Sequence, residues 1–157
     1  MMSKKSCVFL AVSFCFAFSV IPDLYAQQRQ QPPQPYNPTA LEYLKRALEC
    51  LMLGDFYNTV INCNNVIRLD PESALTYVIR ARAYYELNNY DMVIADCTQA
   101  IRLDRNNAGA FVIRGNAYGQ RNDYTRAISD WQSALRLNPE IEEARHNIEL
   151  AEQRRGN

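Results

Sequence analysis

Residues 74–107, ALTYVIRARAYYELNNYDMVIADCTQAIRLDRNN, decide how this chain is read. In the first half, Tyr77, Ala81 and Tyr84 fall at i, i+4 and i+7, one face of a helix. The second half repeats the pattern with Val93, Cys97, Ala100 and Ile101. Between them, Asn88 suits a helix end, and Asn89 suits the start of the next helix. The stretch therefore predicts two short amphipathic helices joined by a tight polar turn.

The same text recurs one unit earlier and one unit later, with a period of 34 and no insertion. Tyr43, Tyr77 and Phe111 align, as do Arg46, Arg80 and Arg114, each followed by a small residue, Ala47, Ala81 or Gly115. Gly54, Asn88 and Asn122 stand in one column, and Cys63, Cys97 and Trp131 in another. Asp70-Pro71 and Asn138-Pro139 break the chain between units, where the middle unit has Asp104-Arg105. Self-similarity at this period is the signature of a helical solenoid, in which each unit packs only on its neighbours. Small residues on both helices let the pair approach closely, while Tyr, Phe and Trp fill the flanking space.

These columns resemble the tetratricopeptide repeat family over residues 40–139. Tyr77, Ala81, Tyr84, Tyr90 and Ala100 carry the resemblance in the middle unit. Phe111, Gly115, Tyr118, Tyr124, Ala127, Trp131, Ala134 and Pro139 carry it in the last. Thr59 and Val93 stand where the family has a small residue, Cys50 where it has an aromatic, and Arg105 where it has the closing Pro. The resemblance implies an all-α, right-handed helical solenoid of three units, 40–73, 74–107 and 108–141, plus a C-terminal capping helix and tail over 142–157. Ile141, Ala144, Ile148 and Ala151 give that last helix a narrow apolar stripe. Glutamates at its start and arginines at its end both suit the helix dipole.

Upstream, Lys4 and Lys5 precede the uncharged run Cys7–Ile21, and Leu24-Tyr25-Ala26 offers a cleavage point, so residues 1–26 read as a signal peptide. An uncleaved anchor is the alternative, although the run is short of the ~20 residues a spanning helix needs. Export to the periplasm or cell envelope, or secretion, follows. Residues 27–38, QQRQQPPQPYNP, read as an extended Pro/Gln-rich linker.

Without Lys4, Lys5 and Asp23, the 17 basic and 17 acidic residues become 15 and 16, a net charge of −1. Nucleic acid as a partner calls for a clear basic excess, so none is expected. No phosphate loop, metal-ligand spacing or nucleophile–base pair stands out, so the reading is no enzyme, no catalytic residues, no cofactor, no metal and no small-molecule substrate. His146, the only histidine, reads as an exposed helix residue. Cys50, Cys63 and Cys97 fall on core faces; a Cys50–Cys63 disulfide and three inert thiols both remain open. Asp96 and Asp130 follow Arg80 and Arg114 at an offset of sixteen, which reads as a ladder of Arg–Asp contacts between paired helices; Arg46 meets Asn62 instead.

In the resembled family the first helices line a concave groove for peptide segments. The corresponding faces here carry Leu41, Leu44, Leu48, Leu75, Val78, Ile79, Arg82, Tyr85, Glu86, Val112, Ile113, Asn116 and Gln120. A solvated helix face is normally polar, so this apolar excess asks for a protein or peptide partner. The family's carboxylate-clamp subtype grips a chain terminus with Lys and Asn; Leu44, Leu48, Gly109 and Ile113 do not supply those groups. A protein-interaction scaffold is the reading, with assembly of envelope machinery as the role the resemblance suggests. The alternative is a self-association module, a homo-oligomer whose groove is filled by its own chain or another copy.

Overall fold

Seven helices follow one another in the computed structural model, which describes residues 38–155 and contains no strand among them. They are α1 (Ala40–Met52), α2 (Phe56–Leu69), α3 (Ala74–Glu86), α4 (Tyr90–Leu103), α5 (Ala108–Gln120), α6 (Tyr124–Leu137) and α7 (Glu142–Arg155). The first six form three helix pairs stacked as a solenoid, and α7 packs on α6. The signal segment and the Pro/Gln-rich linker read above lie outside the described residues.

One turn chemistry is used three times. Gly54, Asn88 and Asn122 take φ of 74°, 56° and 60°, the left-handed region that glycine and asparagine tolerate best. At each, the N–H three residues past the helix end reaches back to close the first helix. Asp55 N–H donates to Cys50 O at 2.8 Å, and Asn89 and Asp123 N–H donate to Tyr84 and Tyr118 O at 2.9 Å each. The same residues then cap the second helices. Side chains of Asp55, Asn89 and Asp123 accept from the backbone N–H of Asn58, Met92 and Arg126. Ending one helix and starting the next within three residues forces the two to fold back on each other.

Between units the rule is equally local. Asp70, Asp104 and Asn138 each accept a backbone N–H two residues on, from Glu72, Asn106 and Glu140, at 3.2, 3.0 and 3.1 Å. Arg105 in place of proline therefore changes nothing in the turn, because the preceding side chain makes it. Thr39 and Glu42 form a reciprocal capping box at the start of α1.

The core divides by unit, as a solenoid requires. Ala47, Cys63 and Ile79 form one cluster; Ala81, Val93, Cys97 and Ala117 form the next. The largest collects Val112, Ala127, Ile128, Trp131, Ala134, Ala144 and Ala151, joined by Ile141 and Ile148. Trp131 fills space that two glycines leave. A Cβ on Gly115 would stand 2.7 Å from its Nε1, and one on Gly119 would stand 3.3 Å from its ring. Tyr77 and Tyr84, read as core, are half-buried instead. Both flank the Arg80 guanidinium at 5.6 and 6.0 Å, and Tyr84 also packs against the cluster of Ala81, Val93, Cys97 and Ala117.

Candidate functional site

The first helices α1, α3 and α5 share one face of the solenoid, and hollows run along it. One, of about 460 Å³, lies between α1 and α3 and is lined by Leu51, Met52, Phe56, Arg82 and Glu86. A second, of about 400 Å³, lies between α3 and α5, with Arg82, Tyr85 and Glu86 on one side and Gly109, Val112 and Ile113 on the other. Arg82 and Glu86 thus form the ridge between two hollows. Both are exposed, and neither makes an ion pair among the described residues. The i, i+4 spacing would have allowed them to pair with each other.

Of the residues read as groove-lining, Leu41, Leu48 and Leu75 are exposed; Leu44, Val78 and Ile113 are half-buried. Met52, one turn on from Leu48, is exposed as well and belongs to the same face. Two of the residues require correction. Ile79 is only 5% exposed and packs with Ala47 and Cys63; Val112 is 8% exposed and reaches the hollow only at its floor. The physical reason is that an inner first helix packs on two second helices, its own and that of the preceding unit. Its buried face is correspondingly wider: α3 buries Thr76, Ile79 and Ala83 as well as Ala81.

Asn116 is corrected in a different way. Its Oδ1 accepts from Trp131 Nε1 at 2.9 Å and from Asn147 Nδ2 at 3.1 Å, and its Nδ2 donates to Glu143 Oε1 at 2.9 Å. A side chain so engaged ties α7 to α5 and α6 and is not a free contact for a ligand. Gln120 Nε2 donates to the Tyr85 hydroxyl at 3.2 Å, and the Tyr85 ring meets Tyr90 edge-on at 5.6 Å. The polar side chains of the third unit are thus engaged with α7 and with the second unit, and the exposed leucines of the face belong to the first two units.

The arginine column behaves as the offset of sixteen suggested. Arg80 grips Asp96 with Nε and Nη2 at 2.8 and 2.6 Å, and Arg114 grips Asp130 at 2.8 Å through both. Each also donates from Nη1 to the preceding unit, Arg80 to Asn64 at 2.6 Å and Arg114 to Thr98 at 3.0 Å. Burial works against the Arg80 charge, but the fork to Asp96 outweighs it and its pKa is raised; at Arg114 the fork to Asp130 is the larger effect. One guanidinium therefore ties three helices.

Cys50, Cys63 and Cys97 are all free thiols. Burial pushes the Cys63 and Cys97 thiols up to about 12, which holds them protonated and unreactive near neutrality. His146 is exposed on α7. Among the described residues no group of three His, Cys, Asp or Glu could hold a metal ion, and no helix is long and apolar enough to cross a membrane.

Comparison with known proteins agrees with this geometry. The family model described as tetratricopeptide repeat matches residues 74–107 and 108–141. Residues 74–107 and 108–141 are thus matched as two tetratricopeptide repeats, and the described residues form an all-α solenoid of the kind seen in that family. The unit at 40–73, outside the matched residues, has the same helix pair and left-handed turn.

Among solved structures, the chain is similar to the tetratricopeptide repeat domain of OM64 from Arabidopsis. Identity is 24% over 73% of this chain and 94% of that one, with a TM-score of 0.72. It is similar to the TPR2B domain of yeast Sti1 in its complex with pHsp70, at 26% identity over 73% and 97% of the chains and a TM-score of 0.70. The second such domain of human RPAP3, in complex with the HSP70 peptide SGPTIEEVD, is 27% identical over 72% and 94%, with a TM-score of 0.69. A search of curated proteins finds no match.

Proposed function

We propose that this protein is a non-catalytic interaction scaffold that captures an apolar peptide or protein segment along α1 and α3. One observation carries the reading. Leu41, Leu48, Met52 and Leu75 stand exposed on first helices whose solvated faces are normally polar, and Met52 lines a hollow of about 460 Å³. The unpaired Arg82 and Glu86 border that hollow and give a bound segment its direction, since reversing it would oppose like charges. Domains of similar fold in yeast Sti1 and human RPAP3 are solved with pHsp70 and with an HSP70 peptide, which supports a peptide-binding role for this face. The side chains here differ in kind from a carboxylate clamp, so the acidic peptide SGPTIEEVD should bind poorly. Following the signal-like residues 1–26, the site of action is the periplasm or cell envelope, or outside the cell. Assembly of envelope machinery is the role that fits an exported scaffold without chemistry of its own.

Crosslinked co-purification from the native cells tests this. Leu48→Asp with Leu75→Asp should abolish recovery of the partner that the wild-type chain brings down in stoichiometric amount. Both sites are exposed, so far-ultraviolet circular dichroism should stay unchanged. Undiminished recovery by the double variant would remove the groove from the account.

A further inference from the structure

A second apolar surface lies on the opposite side of the first unit. The stripe of α2 directly across from its buried residues Thr59, Cys63 and Val66 is led by Tyr57 and Ile61, one turn apart. They are 73% and 54% exposed, and Leu53, in the turn just before α2, is 84% exposed. The repeat register shows how unusual this is. At the same columns the second unit has Leu87, Asp91 and Ala95, and the third has Arg121, Thr125 and Ser129. Asp91 and Arg121 form an ion pair across neighbouring units; the columns one unit earlier hold Tyr57 and Leu87, an apolar pair. Arg68 is the only charged residue in α2, whose outer surface is otherwise filled by Asn58, Asn64 and Asn65. With Asp55 as the charged cap at its edge, an apolar centre of exposed aromatic and branched side chains has the composition of an interface, not of a solvated helix.

We propose that this face of α2 joins two copies of the chain as a two-fold dimer. A two-fold contact needs only a surface complementary to itself, and Tyr57 and Ile61, one turn apart on one stripe, supply one. Two α2 helices crossing antiparallel place Tyr57 of each copy on Ile61 of the other, an aromatic against a branched side chain on both sides of the axis. Leu53, Tyr57 and Ile61 together expose on the order of 450 Å² per copy, above half of the ~800 Å² per partner of a standard interface. An interface below the standard size should associate reversibly. The contact leaves the groove of each copy open, so the dimer would present two grooves.

Sedimentation equilibrium of the full chain across the micromolar range tests the proposal. The wild-type chain should show a monomer–dimer equilibrium. Tyr57→Arg with Ile61→Arg sets like charges against each other across the axis and should weaken association by roughly tenfold or more. Thr125→Arg with Ser129→Arg, the same change in the third unit, should leave it unaltered. A wild-type chain that stays monomeric throughout overturns the proposal, and so does a dimer that survives the α2 double variant. Because neither variant touches α1 or α3, this outcome is independent of the groove reading.

Discussion

In the third unit a glycine faces a tryptophan; in the first, an alanine faces a cysteine. Ala47 and Cys63 meet in a small cluster with Ile79, while Gly115 yields its volume to Trp131, whose indole N–H finds Asn116. Around Trp131 the core runs on into α7, and the polar side chains of the groove face are drawn into holding that helix. Around Cys63 the helices stop short of any such brace, and Leu41, Leu48, Met52, Leu53, Tyr57 and Ile61 are left in solvent. The backbone frame is common to both, because caps and turns are set by residues within each unit. What differs is how one fixed volume is shared between facing side chains, and what remains for outside contact. The C-terminal end has used its residues on cohesion, the N-terminal end on surface.

The largest effect should come from undoing that division at Trp131. Trp131→Ala removes a nearly buried ring opposite two glycines that cannot fill the gap and takes away the donor to Asn116; it should destabilise by ~3–5 kcal/mol in urea or thermal unfolding. Cys63→Ala, at the same column of the first unit, deletes one sulfur atom and should cost about 1 kcal/mol. Equal losses would mean that the core does not grow toward α7 as the packing indicates. Next in size is Gly115→Ala, which places a methyl 2.7 Å from Trp131 Nε1. A loss of ~1–3 kcal/mol is expected from overpacking. In a Trp131→Cys background, which restores the pairing of the second unit, the same change should become neutral or favourable. A penalty that persists there would show that something other than the indole forbids a Cβ.

Much of this was written in the period. With the register of 34 known, the turns at Gly54, Asn88 and Asn122, their caps and the Arg–Asp forks all follow from residues at fixed offsets, since each is made within a unit or between adjacent ones. The misassigned site residues share a different cause. Ile79 and Val112 look outward if each helix has one buried stripe, and a solenoid gives its inner first helices two. Asn116 reads as a free polar group because its partners Glu143 and Asn147 lie 27 and 31 residues away on the capping helix, outside the repeat. Its partner Trp131 is the one aromatic in a column of cysteines, and that break in register was a signal available in the sequence. The apolar outer stripe of α2 was legible too, had each column been compared down the three units instead of along one.

The smallest effect distinguishes burial from mere pairing. Arg46 occupies the fork column but faces Asn62, whose amide donates to Asn58 O at 2.8 Å, and Arg46 itself is exposed. Asn62→Asp would restore the acid that Arg80 and Arg114 enjoy. It cannot restore their surroundings. Among the described residues no earlier second helix stands where Asn64 and Thr98 receive the inner guanidinia, and Cys50 replaces the aromatic at the Tyr84 column. An exposed pair of this kind contributes at most ~0.5–1 kcal/mol, and salt screens it. The variant should therefore melt slightly higher than wild type at low ionic strength and indistinguishably from it at about 1 M salt, where the screening length falls to ~3 Å. A gain that salt does not reduce would mean that the first unit already shields its arginine as the inner units do, and the contrast between a braced end and an open end would fail at that point.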